Sequence, residues 1–134
     1  MPAGEKTIVV GYTPTPPGQA ALRAAIQEGR LRNASLVVVN VSRGDAYVDH
    51  NLADHEHFEG IEGLLVESGL QYRVVQEVGR GEPAEEILRV VEEANAVLVV
   101  IGLRHRTRVG KFLLGSTAQE ILLDAPCPVL SVKA

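Results

Sequence analysis

The sequence predicts a doubly wound α/β domain, and three observations predict it. Short β-rich runs alternate with helix-periodic segments along the whole chain. Two of the runs, Leu36 to Val41 and Val97 to Ile101, are apolar nearly throughout, as strands covered on both faces must be. Each connection carries a helical segment, so the strands run parallel, with right-handed crossovers and helices on both faces. At 134 residues and 46% hydrophobic content, the chain fits one globular domain, residues 1–134, whose core needs no staples.

Ile8-Val-Val-Gly-Tyr12 reads as the first strand, ending in a rigid loop marked by Pro14, Pro16, Pro17 and Gly18. Leu22, Ala25, Ile26 and Gly29 then recur at helical spacing. Leu36 to Val41 is the second strand, followed by a polar loop from Ser42 to about Ala53. Phe58, Ile61 and Leu65 mark a second helix, closed by Ser68-Gly69. Tyr72 to Val78 carries Arg73, Gln76 and Glu77, which makes it the most polar strand and suits a sheet edge. Gly79 to Glu82 is a turn, and Pro83 stands at a first helical position. Ala84, Ile87, Leu88 and Val91 form the buried stripe of that third helix. The fourth strand is Val97 to Ile101, the fourth helix is built on Ala118, Ile121, Leu122 and Ala125, and Val129 to Val132 is the fifth strand.

Composition narrows the function classes. The formal net charge of −4, with Tyr12, Tyr47 and Tyr72 scattered, speaks against a nucleic-acid partner. No apolar run approaches a membrane span, and the start of the chain lacks the parts of a signal peptide, so a cytoplasmic protein is expected. The single cysteine, Cys127, forms no internal disulfide. It sits between Pro126 and Pro128 with no cue for a thiolate, and reads as a small packed residue. His50, His55 and His57 crowd with Asp49, Asp54 and Glu56. However, His55 and His57 share no helix face and no H-E-x-x-H or cysteine partner is present, so no metal site is assigned.

The charge distribution is uneven. Seven acids and no Lys or Arg lie between Arg43 and Arg73, whereas Arg104, Arg106, Arg108 and Lys111 fall together with no acid among them. This basic loop joins Gly102 to Gly115-Ser116-Thr117. In open parallel sheets ligands bind beyond the carboxyl ends of the strands, where the strand order reverses, and Thr13, Val41 and Gly102 all stand at such ends. Gly102 is expected to permit a sharp turn. Gly115 would let an anion approach the free amides that open the fourth helix. Ser116-x-x-Gln119 and Thr117-x-x-Glu120 both have capping-box spacing. The hydroxyls of Ser116 and Thr117, with nearby arginines such as Arg104, can add bonds to phosphate oxygens. A capped helix behind a solvated basic loop needs the same residues, so the pattern alone leaves both readings open. Neither G-x-x-x-x-G-K-[ST] nor G-x-G-x-x-G occurs, which argues against a P-loop or an ordinary dinucleotide-binding fold. No positioned base or nucleophile emerges, so no catalytic residue is assigned and the chain is not read as an enzyme.

Over nearly its whole length the chain resembles the universal stress proteins. The resemblance is carried by Gly81-Glu-Pro-Ala-Glu-Glu-Ile87, Val99-Val-Ile-Gly102, Leu114-Gly-Ser-Thr-Ala-Gln-Glu-Ile-Leu122 and Ala125-Pro-Cys-Pro-Val-Leu-Ser-Val132. Nucleotide-binding members carry G-x2-G-x9-G-[ST], and this chain reads Gly102-x2-His105-x9-Gly115-Ser116, with the spacing kept and one glycine replaced. The resemblance implies a five-stranded sheet of order 3-2-1-4-5 that binds ATP or AMP, with or without Mg2+. It implies adenine near Val41 and phosphates at Gly102, Gly115, Ser116 and Thr117, while His105, in place of a family glycine, would either fill space that a phosphate or ribose uses, point outward, or hydrogen-bond a phosphate when protonated. The family's acidic residue at the end of strand one corresponds to Thr13. It also implies a homodimer paired through the edge strand Val129 to Val132, in a regulatory role. Three alternatives stand beside it: a nucleotide-free dimeric module, a weak ATP hydrolase, and a metal-binding stress protein using the 49–57 cluster.

Overall fold

Valine and isoleucine fill the centre of the sheet, because β-branched side chains pack well on a pleated surface and give up little rotamer freedom there. The computed structural model describes residues 6–42, 60–78, 82–103 and 114–134. The strands are β1 (Lys6–Tyr12), β2 (Ala34–Ser42), β3 (Tyr72–Val78), β4 (Leu98–Leu103) and β5 (Val129–Lys133). The helices are α1 (Pro16–Arg32), α2 (residues 60–68), α3 (Pro83–Ala94) and α4 (Ser116–Asp124). All four strand pairings are parallel, and the order is β3-β2-β1-β4-β5, as the resemblance implies.

Period-two alternation sends the two halves of each strand to opposite faces. Ile8, Val10 and Tyr12 of β1 join Leu36 and Val38 of β2 and Leu98 and Val100 of β4 under α1 and α2. Val9, Val37, Val39, Val99 and Ile101 pack on the other face against Ala84, Ile87, Val90 and Val91 of α3 and Ala118 and Ile121 of α4. Helices on both faces exclude water from both sides of the sheet, which is why β2 and β4 are continuously apolar. Left-handed Asn33 and Asn95 end α1 and α3 (φ 54° and 50°), a conformation asparagine tolerates better than most residues.

Three expectations are corrected. Pro16, Pro17 and Gly18 are not loop but the first turn of α1, where proline is tolerated because its missing N–H has no intrahelical acceptor to reach. In the helix stripes, Val90 is buried while Leu88 is only half-buried, and Leu122 is exposed. β4 also continues past Ile101 to Leu103, which puts Gly102 inside a strand. The polar strand β3 does lie at an edge, as its composition predicts. None of the described helices is long and apolar enough to cross a membrane.

Burial sets the first testable outcome. Leu22, 1% exposed between α1 and the sheet, should cost about 2–5 kcal/mol when cut to alanine. Leu123→Ala, at a side chain 83% exposed, should shift stability by no more than about 0.5 kcal/mol. Urea unfolding of the two variants measures both.

Candidate functional site

Because β1 sends its chain to β2 on one side and receives β4 on the other, the strand order reverses between β1 and β4. The register fixes what stands at that reversal. Tyr12 pairs with Asn40, Val10 with Val100, and Gly102 with Val132. The carboxyl ends of the central strands are therefore level, with Thr13 one residue beyond β1, Val41 next to last in β2 and Gly102 next to last in β4. α1 starts here on one face of the sheet and α4 on the other.

The start of α1 is closed. Thr15 is its N-cap and its Oγ1 accepts the Gly18 N–H at 3.3 Å, while the Gln19 N–H reaches the Thr15 carbonyl at 2.9 Å. Pro16 and Pro17 have no N–H to offer. Thr13 Oγ1 lies 2.7 Å from Thr15 Oγ1, and the Thr15 N–H bonds the Thr13 carbonyl at 2.8 Å. Two glycines make this packing possible. A Cβ on Gly18 would fall on the Thr13 carbonyl and within 2.5 Å of its hydroxyl. A Cβ on Gly102 would fall on the Pro17 carbonyl oxygen, 2.5 Å from its carbon and 2.9 Å from its Cβ. Gly102 therefore does not make the sharp turn expected of it; it sits in β4 and lets the first turn of α1 lie directly on the strand.

The start of α3 is unsuited to an anion for another reason. Its N-cap Glu82 and first-turn Glu85 and Glu86 place carboxylates where the helix dipole is positive.

Among the described residues, the start of α4 has neither a seal nor an acid in its first turn. Its N-cap is Gly115, with no side-chain cap and no acidic residue in the first turn. The two capping boxes expected from the sequence do not form. Helix α4 begins at Ser116, so Ser116 and Thr117 are its first residues rather than caps, and Gln119 Nε2 donates instead to the Leu114 carbonyl at 3.2 Å. The first intrahelical acceptor used is the Gly115 carbonyl, by Gln119 at 2.9 Å. The amides of Ser116, Thr117 and Ala118 precede it and are free of helix bonds. A Cβ added to Gly115 would meet nothing within 4 Å. Of the three helix starts described, only this one offers several open donors with a positive dipole behind them.

Among the expected site residues, the structure thus brings Thr13 and Gly102 together through the first turn of α1 and places Gly115, Ser116 and Thr117 at the open start of α4. Val41 lies at the end of β2, next to the strand that carries Thr13. Arg104, His105 and the histidines at 50, 55 and 57 fall outside the described residues.

The sequence reading missed Thr15 and Gly18, although a threonine directly before proline is a helix-start signal. It also missed Asn40, a buried polar residue that shares a face and a register position with Tyr12 at this end of the sheet. Burial pushes the Tyr12 phenol and the Cys127 thiol above their ordinary values. For Cys127 this favours the unreactive thiol over the thiolate. Among the described residues no group of three or more His, Cys, Asp or Glu is arranged to hold a metal ion.

The close approach at Gly102 yields a matched pair of substitutions. Gly102→Ala meets backbone that cannot rotate away and should destabilise by about 1–3 kcal/mol. Gly63→Ala, in the body of α2 with nothing within 4 Å, should stabilise by about 0.5–1 kcal/mol. Thermal melting of the two proteins gives shifts of opposite sign.

Comparison with known proteins adds an independent line. Residues 5–133 match the universal stress protein family. A universal stress protein of Mycolicibacterium smegmatis is 45% identical over 94% of this chain and 96% of its own length. The solved universal stress protein of Archaeoglobus fulgidus superposes with a TM-score of 0.78 at 26% identity, covering 96% of this chain and 98% of that one. A second A. fulgidus structure, in complex with dAMP, has a TM-score of 0.70 at 23% identity over 96% and 98% of the two chains. The same fold is seen in a universal stress protein in complex with cAMP (TM-score 0.69, 22% identity, 96% and 97% coverage) and in an Arabidopsis thaliana member with AMP bound (0.68, 15%, 96% and 91%).

Proposed function

The chain belongs to the universal stress protein family, and from that premise we propose that it binds an adenine nucleotide, ATP or AMP, at the reversal between β1 and β4. The observation that carries the proposal is the open start of α4. In this reading the amides of Ser116, Thr117 and Ala118, the two hydroxyls and the dipole of α4 hold a phosphate group, with Arg104 and its basic neighbours adding charge. Gly102 and Thr13 form the wall beside it, His105 borders the phosphates, and Val41 lies on the side where the base rests. That structures of this fold hold dAMP, cAMP and AMP supports the ligand class. The protein acts as a regulatory, non-enzymatic nucleotide binder of the stress response, a single cytoplasmic domain over residues 1–134.

The protein also works as a homodimer in this reading. Among the described residues β5 pairs only with β4, which leaves its other edge without a strand, and Val129, Leu130 and Val132 are only half-buried. Pairing with a second β5 about a two-fold axis would satisfy that edge in an isologous contact. Light scattering should give twice the 14.4 kDa chain mass; a single-chain mass at micromolar concentration would contradict the dimer.

Sealing α4 tests the nucleotide site. Gly115 has φ −65° and ψ 159°, which any residue adopts, so Gly115→Asp supplies an N-cap carboxylate without backbone strain. It should leave stability the same or higher by a few tenths of a kcal/mol. By occupying the amides and opposing the phosphate charge, it should weaken AMP and ATP binding at least about tenfold in isothermal titration, the scale of one charge-assisted hydrogen bond. Unchanged affinity in the folded variant would move the site away from α4.

A further inference from the structure

Resting on the homodimer reading above, we infer that the two copies pair antiparallel in one register, with Leu130 of each chain facing Leu130 of the other across the two-fold axis. The Val99 N–H bonds the Pro128 carbonyl at 3.1 Å, and Val99 stands opposite Val129 in the parallel β4–β5 pair. That bond fixes the parity of the whole strand. The N–H and C=O of one strand residue leave the backbone on the same side, and the side alternates from residue to residue. Leu130 and Val132 therefore turn their backbone groups to β4. Val129 and Ser131 turn theirs outward, where no described strand meets them.

An antiparallel partner bonds an outward residue only through another outward residue. Any register that sets Val129 or Ser131 against an inward residue leaves the edge unbonded. Of the registers that remain, those that overlap most of β5 are centred on Leu130 or on Ser131, and side chains decide between them. Leu130 and Val132 are half-buried and pack with Ala24 on the α1 side of the core, whereas Val129 packs on the α4 side. Centred on Leu130, the pairing sets Leu130 against its own copy and Val132 against Pro128, so apolar meets apolar on the α1 side. Val129 and Ser131 then exchange their outward N–H and C=O groups with each other, and Lys133 lies beyond these pairs. The Leu130 pair is of the kind without mutual hydrogen bonds, in which opposed side chains come closest. Centred on Ser131, the pairing would set the Lys133 side chain directly against Val129 and Pro128 against the exposed Ala134. That arrangement desolvates a charge against valine and gives up an apolar pair.

Cysteines placed singly in a Cys127→Ala background test the register. In the pairing centred on Leu130, the Leu130 Cα atoms of the two copies stand about 4.5 Å apart, within disulfide reach, and those of Ser131 are diagonal neighbours about 7–8 Å apart. Under mild oxidation the Leu130→Cys protein should run almost entirely as a covalent dimer on a non-reducing gel, and the Ser131→Cys protein almost entirely as a single chain. Because Leu130→Cys trims the contact itself, the unsubstituted protein supplies an independent reading. In mixed labelled and unlabelled chains, the intermolecular Hα contact of Leu130 should be to Leu130 of the second copy and not to its Val132. A dimer that crosslinks through Ser131, or that lacks the Leu130 contact, overturns the register and leaves the homodimer reading intact. A single-chain mass for the unsubstituted protein overturns both.

Discussion

The contact on which the rest of this site depends is the one between the first turn of α1 and Gly102 of β4. It is backbone against backbone, and no side chain could be accommodated between the two elements. By bringing Pro17 onto β4, it carries α1 across from the strand it follows to the strand on the far side of the reversal. The same turn is locked to the end of β1 through Gly18 and Thr13. One short segment, Thr13 to Gly18, thus ties together the two strands between which the crevice opens, and it does so by consuming the hydrogen-bonding capacity of its own helix start.

That consumption has a consequence on the opposite face. Helix starts at the carboxyl end of a parallel sheet are the usual places for an anion, and this fold has several. At α1 the donors are absent or used, and at α3 they are guarded by glutamates. At α4 no described side chain caps them, and they lie beside a glycine and two hydroxyls. The selectivity among otherwise similar helix ends comes from three local choices: Thr-Pro-Pro at one start, Glu-Pro-Ala-Glu-Glu at the second, and Gly-Ser-Thr at the third. The contrast among the three starts is visible in this chain alone.

Most of the fold was legible in the sequence because its signals are local and redundant. Val37-Val-Val39 and Val99-Val-Ile101 are buried on both faces, and the shortness and β-branched composition of these runs favour a covered strand over a buried helix. The polar strand at Tyr72 falls at an edge for the same reason read in reverse. What was not legible depends on neighbours distant in sequence. Gly102 looked like a turn glycine because its partner, Pro17, is 85 positions away and nothing nearby reveals the contact. The capping boxes at Ser116 and Thr117 failed because the helix starts at Ser116 itself, a boundary the spacing cannot resolve. Leu122 followed helical periodicity but is exposed together with Leu123.

An anion held at the start of α4, and at neither α1 nor α3, is read in the amide chemical shifts of the isotope-labelled protein during titration with AMP. The largest changes are expected at the amides of Ser116, Thr117 and Ala118, with Gly18, Gln19, Glu85 and Glu86 nearly still. Changes centred on the start of α1 or α3, with those three amides unmoved, would contradict it.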